Sequence, residues 1–552
     1  HAINGYMYDN IPDMTMLVGE RVRWYLLAMG NEADLHSVFW QGQTVLHRGH
    51  RKQSIEMIAG SAYTADMVPD RAGRFQFGCG IDEHFKGGMV GSFRVQSSVG
   101  AAAAALGGVM RSYYIAAVER QWNYAPTGMD TVAPVHGDGP ALSAEAEAAL
   151  ATTVYKKVVY VEFTDATFTV EKAVPPEWAH KGIMGPVLRA EVGDTLAVTL
   201  RNAGPRACSI RPHGLSHTAG DGFAFAGEYN KAGRADVVEP GATHTYSFEV
   251  PERSGPGPGD GSSVAWLYYS DVDHTVDINT GLVGGIVVAR RGSADAAGRP
   301  TDVDKEFFAL FNIFDEGRSW FSGEADYADV AHQKSTINGY IFGNNEAFRM
   351  RVGDKVRWYL FAVGGQTGLH TPHFHAATVL EYGRRTDVTQ LLPTSTMAVD
   401  MVPNSVGEWM LHCHVSAHMM RGMIVTYHVD GPDDSTKLDA LDGGAVRKYF
   451  VACEEVEWNY GPSGRNGVTD AAFDADRSAT YMAHNDTRIG ATNRKARYTE
   501  YTDDGFATAR EPSADWRHKG ILGPVLRAEV GDQIHVLFRN KCSRPFSMHP
   551  HG

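Results

Sequence analysis

Five metal-capable side chains crowd one short segment, at His412-Cys413-His414, His418 and Met423. A cysteine, a histidine and a weakly held methionine are three of the four donors of a blue-copper site, whose remaining equatorial ligand is a second histidine. His370 offers that ligand from the strand-like run His370-Thr371-Pro372-His373-Phe374-His375. Successive strand side chains point to opposite faces. His412 and His414 must therefore project away from Cys413, and His373 and His375 must share a face. The pattern predicts one copper on His370, Cys413, His418 and Met423, with a second metal centre behind it. A lone His-x-His is usually surface decoration, but two of them around a complete blue-copper set are a far more specific signal.

An internal repeat extends this reading. Ile3-Asn4-Gly5-Tyr6 returns as Ile337-Asn338-Gly339-Tyr340, and Val22-Arg23-Trp24-Tyr25-Leu26 as Val356-Arg357-Trp358-Tyr359-Leu360, both 334 residues on. Lys181-Gly182-Ile183 through Gly193-Asp194 returns as Lys519-Gly520-Ile521 through Gly531-Asp532, 338 residues on. A unit of that length suits two domains of common size. Residues 304–334 have no counterpart before His1, and Gly552 aligns with Gly214, so the repeat predicts a chain truncated at both ends.

Shifted by 334, the copper set His370, Cys413, His418 and Met423 lands on His36, Cys79, His84 and Met89, a second complete set. The flanking histidines do not survive the shift: His373 becomes Phe39, His375 Gln41, His412 Gly78 and His414 Gly80. The first unit can hold and pass an electron but has no cluster to feed; the second can do both. His549-Pro550-His551-Gly552 supplies a further His-x-His, whose earlier counterpart is Arg211-Pro212-His213-Gly214. His213 alone reads as a packing residue, and Tyr269-Ser270-Asp271 offers no histidine where a second pair would be wanted.

The elements that must position these residues are short strands rich in Val, Tyr, Phe and Thr between Gly/Pro/Asp turns, as in Tyr155 to Val170 and Arg189 to Leu200. The expected fold is all-β: tandem cupredoxin-like Greek-key β-sandwich domains in two-domain repeats. Their predicted spans are 1–97 (with copper), 112–292 (without), 304–430 (with copper and half of a cluster) and 446–552 (the other cluster half). Ala101 to Gly108 reads as a linker, Ala141 to Ala151 as a short helix or loop insertion, and Pro251 to Ser263 as an exposed loop. Formal charge is −14, from 65 acids against 51 bases without long blocks. That argues against nucleic-acid binding and tolerates cationic substrates. Five cysteines are too few for a disulfide scaffold. Cys208, Cys453 and Cys542 stay open, a Cys453–Cys542 bridge being one pairing.

The order of these segments resembles the ceruloplasmin and hephaestin family, multicopper ferroxidases built from six cupredoxin domains. The likeness runs through His1-Ala2-Ile3-Asn4-Gly5-Tyr6, Gly30-Asn31-Glu32-Ala33-Asp34-Leu35-His36, Tyr113-Tyr114-Ile115-Ala116-Ala117, Pro251-Glu252-Arg253-Ser254-Gly255 and the His412 to Met423 strand. The resemblance implies two type 1 coppers, with His373 and His549 on a type 2 copper and His375, His412, His414 and His551 on a type 3 pair. Two further cluster ligands would lie beyond residue 552. Electrons would pass through Cys413, His412 and His414, the residues on which catalysis would turn. It also implies Fe(II) and O2 as substrates, an iron permease or transporter as partner, and an extracellular or outward-facing cell-surface location.

The chain departs from the family in two ways. Here the domain bearing the cluster is followed in sequence by the one completing it, whereas the family's cluster lies between last and first domains. Iron would use His1 and Glu83 beside the first copper, but Gln366 stands where a neighbour's acid is expected. Beside the second copper, Ala417 and Ser335 replace acid and histidine. The alternatives are a laccase-like oxidase of phenols or Cu(I), prompted by Met419-Met420, and a non-enzymatic scaffold like the A domains of coagulation factors V and VIII. A copper nitrite reductase would need fewer histidines than the doubled His-x-His provides.

Overall fold

The computed structural model describes the chain except residues 13, 98–106, 133–142, 218–235, 324–329, 346–347, 366, 432–443 and 476. Most of the predicted 101–108 linker, the start of the 141–151 insertion and Gln366 lie outside the described residues. Two compact units emerge, His1–Gly431 and Pro432–His551.

The first unit holds three pairs of facing sheets. Residues 14–96 form a five-stranded and a four-stranded sheet closed over Trp40, Ile55, Phe75, Phe93 and Met67. Residues 110–289 repeat the five-plus-four arrangement over Leu196, Val198, Trp266 and Ile286. Residues 305–430 form six and four strands over Phe307, Trp358, Leu360, Leu411 and Tyr427. The core residues alternate along their strands, the period-2 pattern of a sandwich. In the second unit the strand Val446–Asn459 is central, antiparallel to Thr492–Tyr501 and parallel to Gln533–Asn540. A Cys453–Cys542 disulfide ties it to the segment after the last strand. Cys79, Cys208 and Cys413 are buried free thiols.

Of the insertion, Ala144–Ala151 is a helix whose first turn is capped by Ser143 Oγ, accepting from the Ala146 N–H at 3.2 Å. Pro251 to Ser263 differs from expectation: Arg253, Ser254, Gly255, Pro256 and Gly257 are buried. Gly257 has no room for a side chain, since a Cβ there would lie 2.7 Å from Gly49 O and from Leu46 Cδ2. Asp260 accepts from the Arg51 N–H at 2.8 Å and pairs with the His50 ring at 2.9 Å. Glycine and proline mark the turn correctly; its burial is shared between the first sandwich, where Thr44 Oγ1 donates to Arg253 O at 2.6 Å, and its own, where Ser254 Oγ donates to Gly214 O at 2.6 Å.

The repeated strands show the same division. In Val356–Ala362 every residue is buried, because Tyr359 and Phe361, on the outer face, pack against Ala265, Leu267 and Val287 of the second sandwich. In Val22–Leu27 the corresponding Tyr25 and Leu27 are 73% and 77% exposed.

His180 joins the second sandwich to the third. Its Nδ1–H donates to Glu177 O at 2.9 Å and its Nε2 accepts from the Phe308 N–H at 3.2 Å, so both nitrogens are committed in the neutral ring. Burial lowers its pKa from 6.5 to about 3. An unfolded chain takes up this proton below about 6.5 while the folded one refuses it until about 3. The stability it carries is therefore complete above 6.5 and drains away as pH falls through that window, by about 1.4 kcal/mol per pH unit. Denaturant titrations at pH 7 and pH 4.5 should show a smaller acid loss for His180→Gln than for the parent chain.

Candidate metal centres

The strand Gly407–Cys413 lies antiparallel to Pro372–Phe374, with Pro372 opposite Cys413 and His373 opposite His412. This register puts Cys413 on the inner face and His412 on the outer one. The short helix Ser416–Met420 then returns His418 toward the thiol. His370 is pinned by paired backbone bonds to Leu391, both 2.9 Å, and Met423 O accepts from the Cys413 N–H at 3.0 Å. Cys413 Sγ is 3.8 Å from His370 Nδ1 and 3.6 Å from His418 Nδ1. A thiolate and two imidazoles bound in one plane at about 2.0–2.3 Å from a shared ion stand about 3.7 Å apart, so the three donors fit such an ion.

The first sandwich reproduces the arrangement. His36 begins the strand His36–Trp40, Cys79 ends Gly73–Cys79, and His84 lies on the helix Asp82–Lys86. Cys79 Sγ is 3.9 Å from His36 Nδ1 and 3.6 Å from His84 Nδ1, and the Cys79 N–H donates to Met89 O at 3.1 Å. Burial lowers the pKa of His36, of His84, of His370 and, to about 4, of His418, keeping the rings in the neutral form that binds metals. Burial raises the Cys413 thiol and pushes Cys79 up to about 11, a penalty on the thiolate that a bound cation reverses. The Thr371 N–H already points at Cys413 Sγ, 3.5 Å away.

Behind Cys413, four imidazoles converge. His412 Nε2 lies 3.1 Å from His373 Nδ1 and 3.0 Å from His375 Nε2, and the His414 ring is centred 5.2 Å from that of His373. The predicted facing of His412 and of His373 with His375 therefore holds. The far nitrogens are tied down: His412 Nδ1 donates to Cys413 O at 3.0 Å, and His373 Nε2 donates to Asp387 at 3.2 Å. A carboxylate behind a histidine fixes its tautomer and directs its other nitrogen at a metal. Asp387 escaped the motif reading, although the repeat carried a signal: its counterpart 334 residues earlier is Gln53, in the unit that lacks the histidines. In the second unit His549 and His551 lie with ring centroids 5.3 Å apart.

The corresponding place beside the first centre does not fit a cluster. Arg211 is buried in an ion pair with Asp271. The Gln41 side-chain oxygen accepts from Arg211 Nε at 3.1 Å and Nη2 at 3.0 Å. His213 Nε2 is hydrogen-bonded to Tyr269 OH at 2.6 Å. A guanidinium thus fills the space with a permanent positive charge. At the mouth of the first centre, the His1 ring stacks on His84 with centroids 4.6 Å apart. Glu83 pairs with Arg318 of the third sandwich at 3.5 Å, a contact no local motif announces.

Multicopper oxidase profiles match residues 321–433 and 178–293. Over its whole length the chain is 35% identical to human ceruloplasmin, covering 54% of that protein. It is 34% identical to mouse hephaestin and 34% identical to human ferroxidase HEPHL1, covering 49% of each. The chain thus spans about half the length of the curated relatives it matches.

Proposed function

The chain belongs to the multicopper oxidase family, and from that premise we propose that the protein is a ferroxidase, oxidising four Fe(II) to Fe(III) for each O2 reduced to two waters. The observation that carries this reading is the single peptide step from Cys413, facing His370 and His418, to His412, facing His373 and His375. We assign type 1 copper to His36, Cys79, His84 and Met89 and to His370, Cys413, His418 and Met423. Type 2 copper goes to His373 and His549, and type 3 copper to His375, His412, His414 and His551. The domains would be 1–97, 112–292, 304–430 and 446–552.

Copper, when bound, supplies one-electron redox chemistry at the type 1 sites and multi-electron reduction of O2 at the cluster. The chain supplies connection and shape. Cys413 links the two donor sets covalently, through its own sulfur and backbone. The strand's alternation separates those sets onto opposite faces. Asp387 and Cys413 O hold His373 and His412 in one tautomer each, and burial keeps water from the thiol. His1 and Glu83 are the iron-facing candidates at the first centre, where Arg318 competes with a cation for the carboxylate. Met419 and Met420, 37% and 48% exposed beside His418, favour Cu(I) as a second donor, since thioethers suit soft cations.

Among the described residues no helix is long and apolar enough to cross a membrane. The Cys453–Cys542 bridge suits an oxidising compartment, in keeping with an extracellular or outward-facing site; an iron transporter as partner is proposed from the ferroxidase reading alone. The reading is tested by oxygen uptake of the copper-replete protein with Fe(II) and with a diphenol. Fe(II)-driven uptake at four per O2 is expected. Turnover of the diphenol alone would indicate a laccase, and no uptake despite full copper a scaffold.

A further inference from the structure

Thr394 is a buried, β-branched residue in the left-handed region, at φ 66°. That conformation is unfavourable for any side chain and worst for a branched one. The repeat supplies its own control. The residue 334 positions earlier is Gly60, at φ 79° with open space around it, the residue such a turn ordinarily takes. Strained residues persist where the surroundings demand them, often at functional sites.

What surrounds Thr394 is the first metal centre, in another sandwich. The Ser37 hydroxyl lies 3.2 Å from Thr394 Oγ1, and the Ser54 hydroxyl donates to Thr394 O at 3.1 Å. A Cβ on Gly80 would stand 2.0 Å from Thr394 Oγ1, so the threonine side chain occupies the space a side chain at position 80 would need. Gly80 is the counterpart of His414. The first sandwich thus has a socket where the third has a cluster histidine, and Thr394 fills it. Ser37 follows His36, Gly80 follows Cys79, and the Gly80 N–H donates to Ser37 O at 2.7 Å. The other end of the same turn holds Leu391, bonded to His370.

We propose that Thr394 is a positioning residue for the first copper centre, reaching from the third sandwich to clamp the backbone that carries His36 and Cys79. The inference rests on the copper assignment above, and its central readouts are spectroscopic. In the full chain carrying Cys413→Ser, only the first type 1 site remains. Thr394→Gly and Thr394→Val should shift its electron paramagnetic resonance hyperfine splitting and its reduction potential. Thr394→Ser, which keeps the hydroxyl, should restore both. In the copper-free chain, Cys79 mapped by mass spectrometry should react several-fold faster with a thiol reagent in Thr394→Gly than in Thr394→Ser. Should Thr394→Gly fold poorly, Gly80→Ala tests the socket from the other side, since its Cβ would displace the Thr394 side chain: it should perturb the same signals, and unchanged signals in a folded Gly80→Ala would overturn the proposal. Wild-type-like spectra, potential and thiol reactivity in folded Thr394→Gly and Thr394→Val would overturn the proposal. Absence of a type 1 signal in the Cys413→Ser parent would instead overturn the copper assignment, leaving thiol reactivity to judge the clamp.

Discussion

Cys413→Ser should reduce Fe(II)-driven oxygen uptake to the rate of the copper-free protein, while Cys79→Ser leaves part of it. Both thiols face two imidazole Nδ1 atoms at 3.6–3.9 Å, so both substitutions should remove a blue charge-transfer band. Their consequences differ because only Cys413 is joined by one peptide unit to His412, which faces His373 and His375. Behind Cys79 the same positions are Gly78, Gly80, Phe39 and Gln41, with the Arg211–Asp271 pair filling the gap. With copper bound as proposed, an electron taken up at the first centre would have to reach the third sandwich, whereas one taken up at the second would already stand beside His412, His373 and His375. Serine keeps the size and strand geometry of cysteine, so loss of uptake reports the sulfur and not the fold. Oxygen-electrode rates with copper counted per chain decide the matter. Equal loss in the two variants would contradict the asymmetry.

The largest expected stability effect comes from a buried ion pair that is not part of either metal-ligand set. Lys157, on the strand Val154–Phe163, is fully buried in an ion pair with Glu316, which follows the strand Lys305–Asp315. Tyr124 OH donates to Glu316 Oε1 at 2.5 Å, and Lys157 Nζ donates to Asn279 O at 2.6 Å. Burial lowers the Lys157 pKa, opposed by the nearby glutamate. Glu316→Ala would strand a buried ammonium and should cost about 3–5 kcal/mol, whereas replacing both partners by Met and Leu should be close to neutral or stabilising. Denaturant titration of the two single variants and the double variant gives the coupling directly. A coupling near zero would show that water reaches the pair.

The sequence alone determined the chemistry of the site residues and the repeat that contains them. Ligand type is a property of the side chain, and the separation of Cys413 from His412 and His414 follows from strand alternation, which is local. For the same reason the all-β fold was legible from short Val/Tyr/Phe/Thr runs, and the loss of the flanking histidines from a 334-residue shift. What depended on packing was not. The Pro251–Ser263 loop reads as a surface turn, yet the first sandwich and its own together bury much of it. Tyr25 and Tyr359 stand in the same five-residue motif, one exposed and one buried, because only the second meets Ala265 and Leu267. Arg318 reaches Glu83 across 235 positions and Thr394 reaches Ser37 across 357. Periodicity and motif spacing describe a chain's relation to its immediate neighbours in sequence. Which distant surface covers a face, pairs an acid or strains a turn is decided only when the sandwiches close on one another.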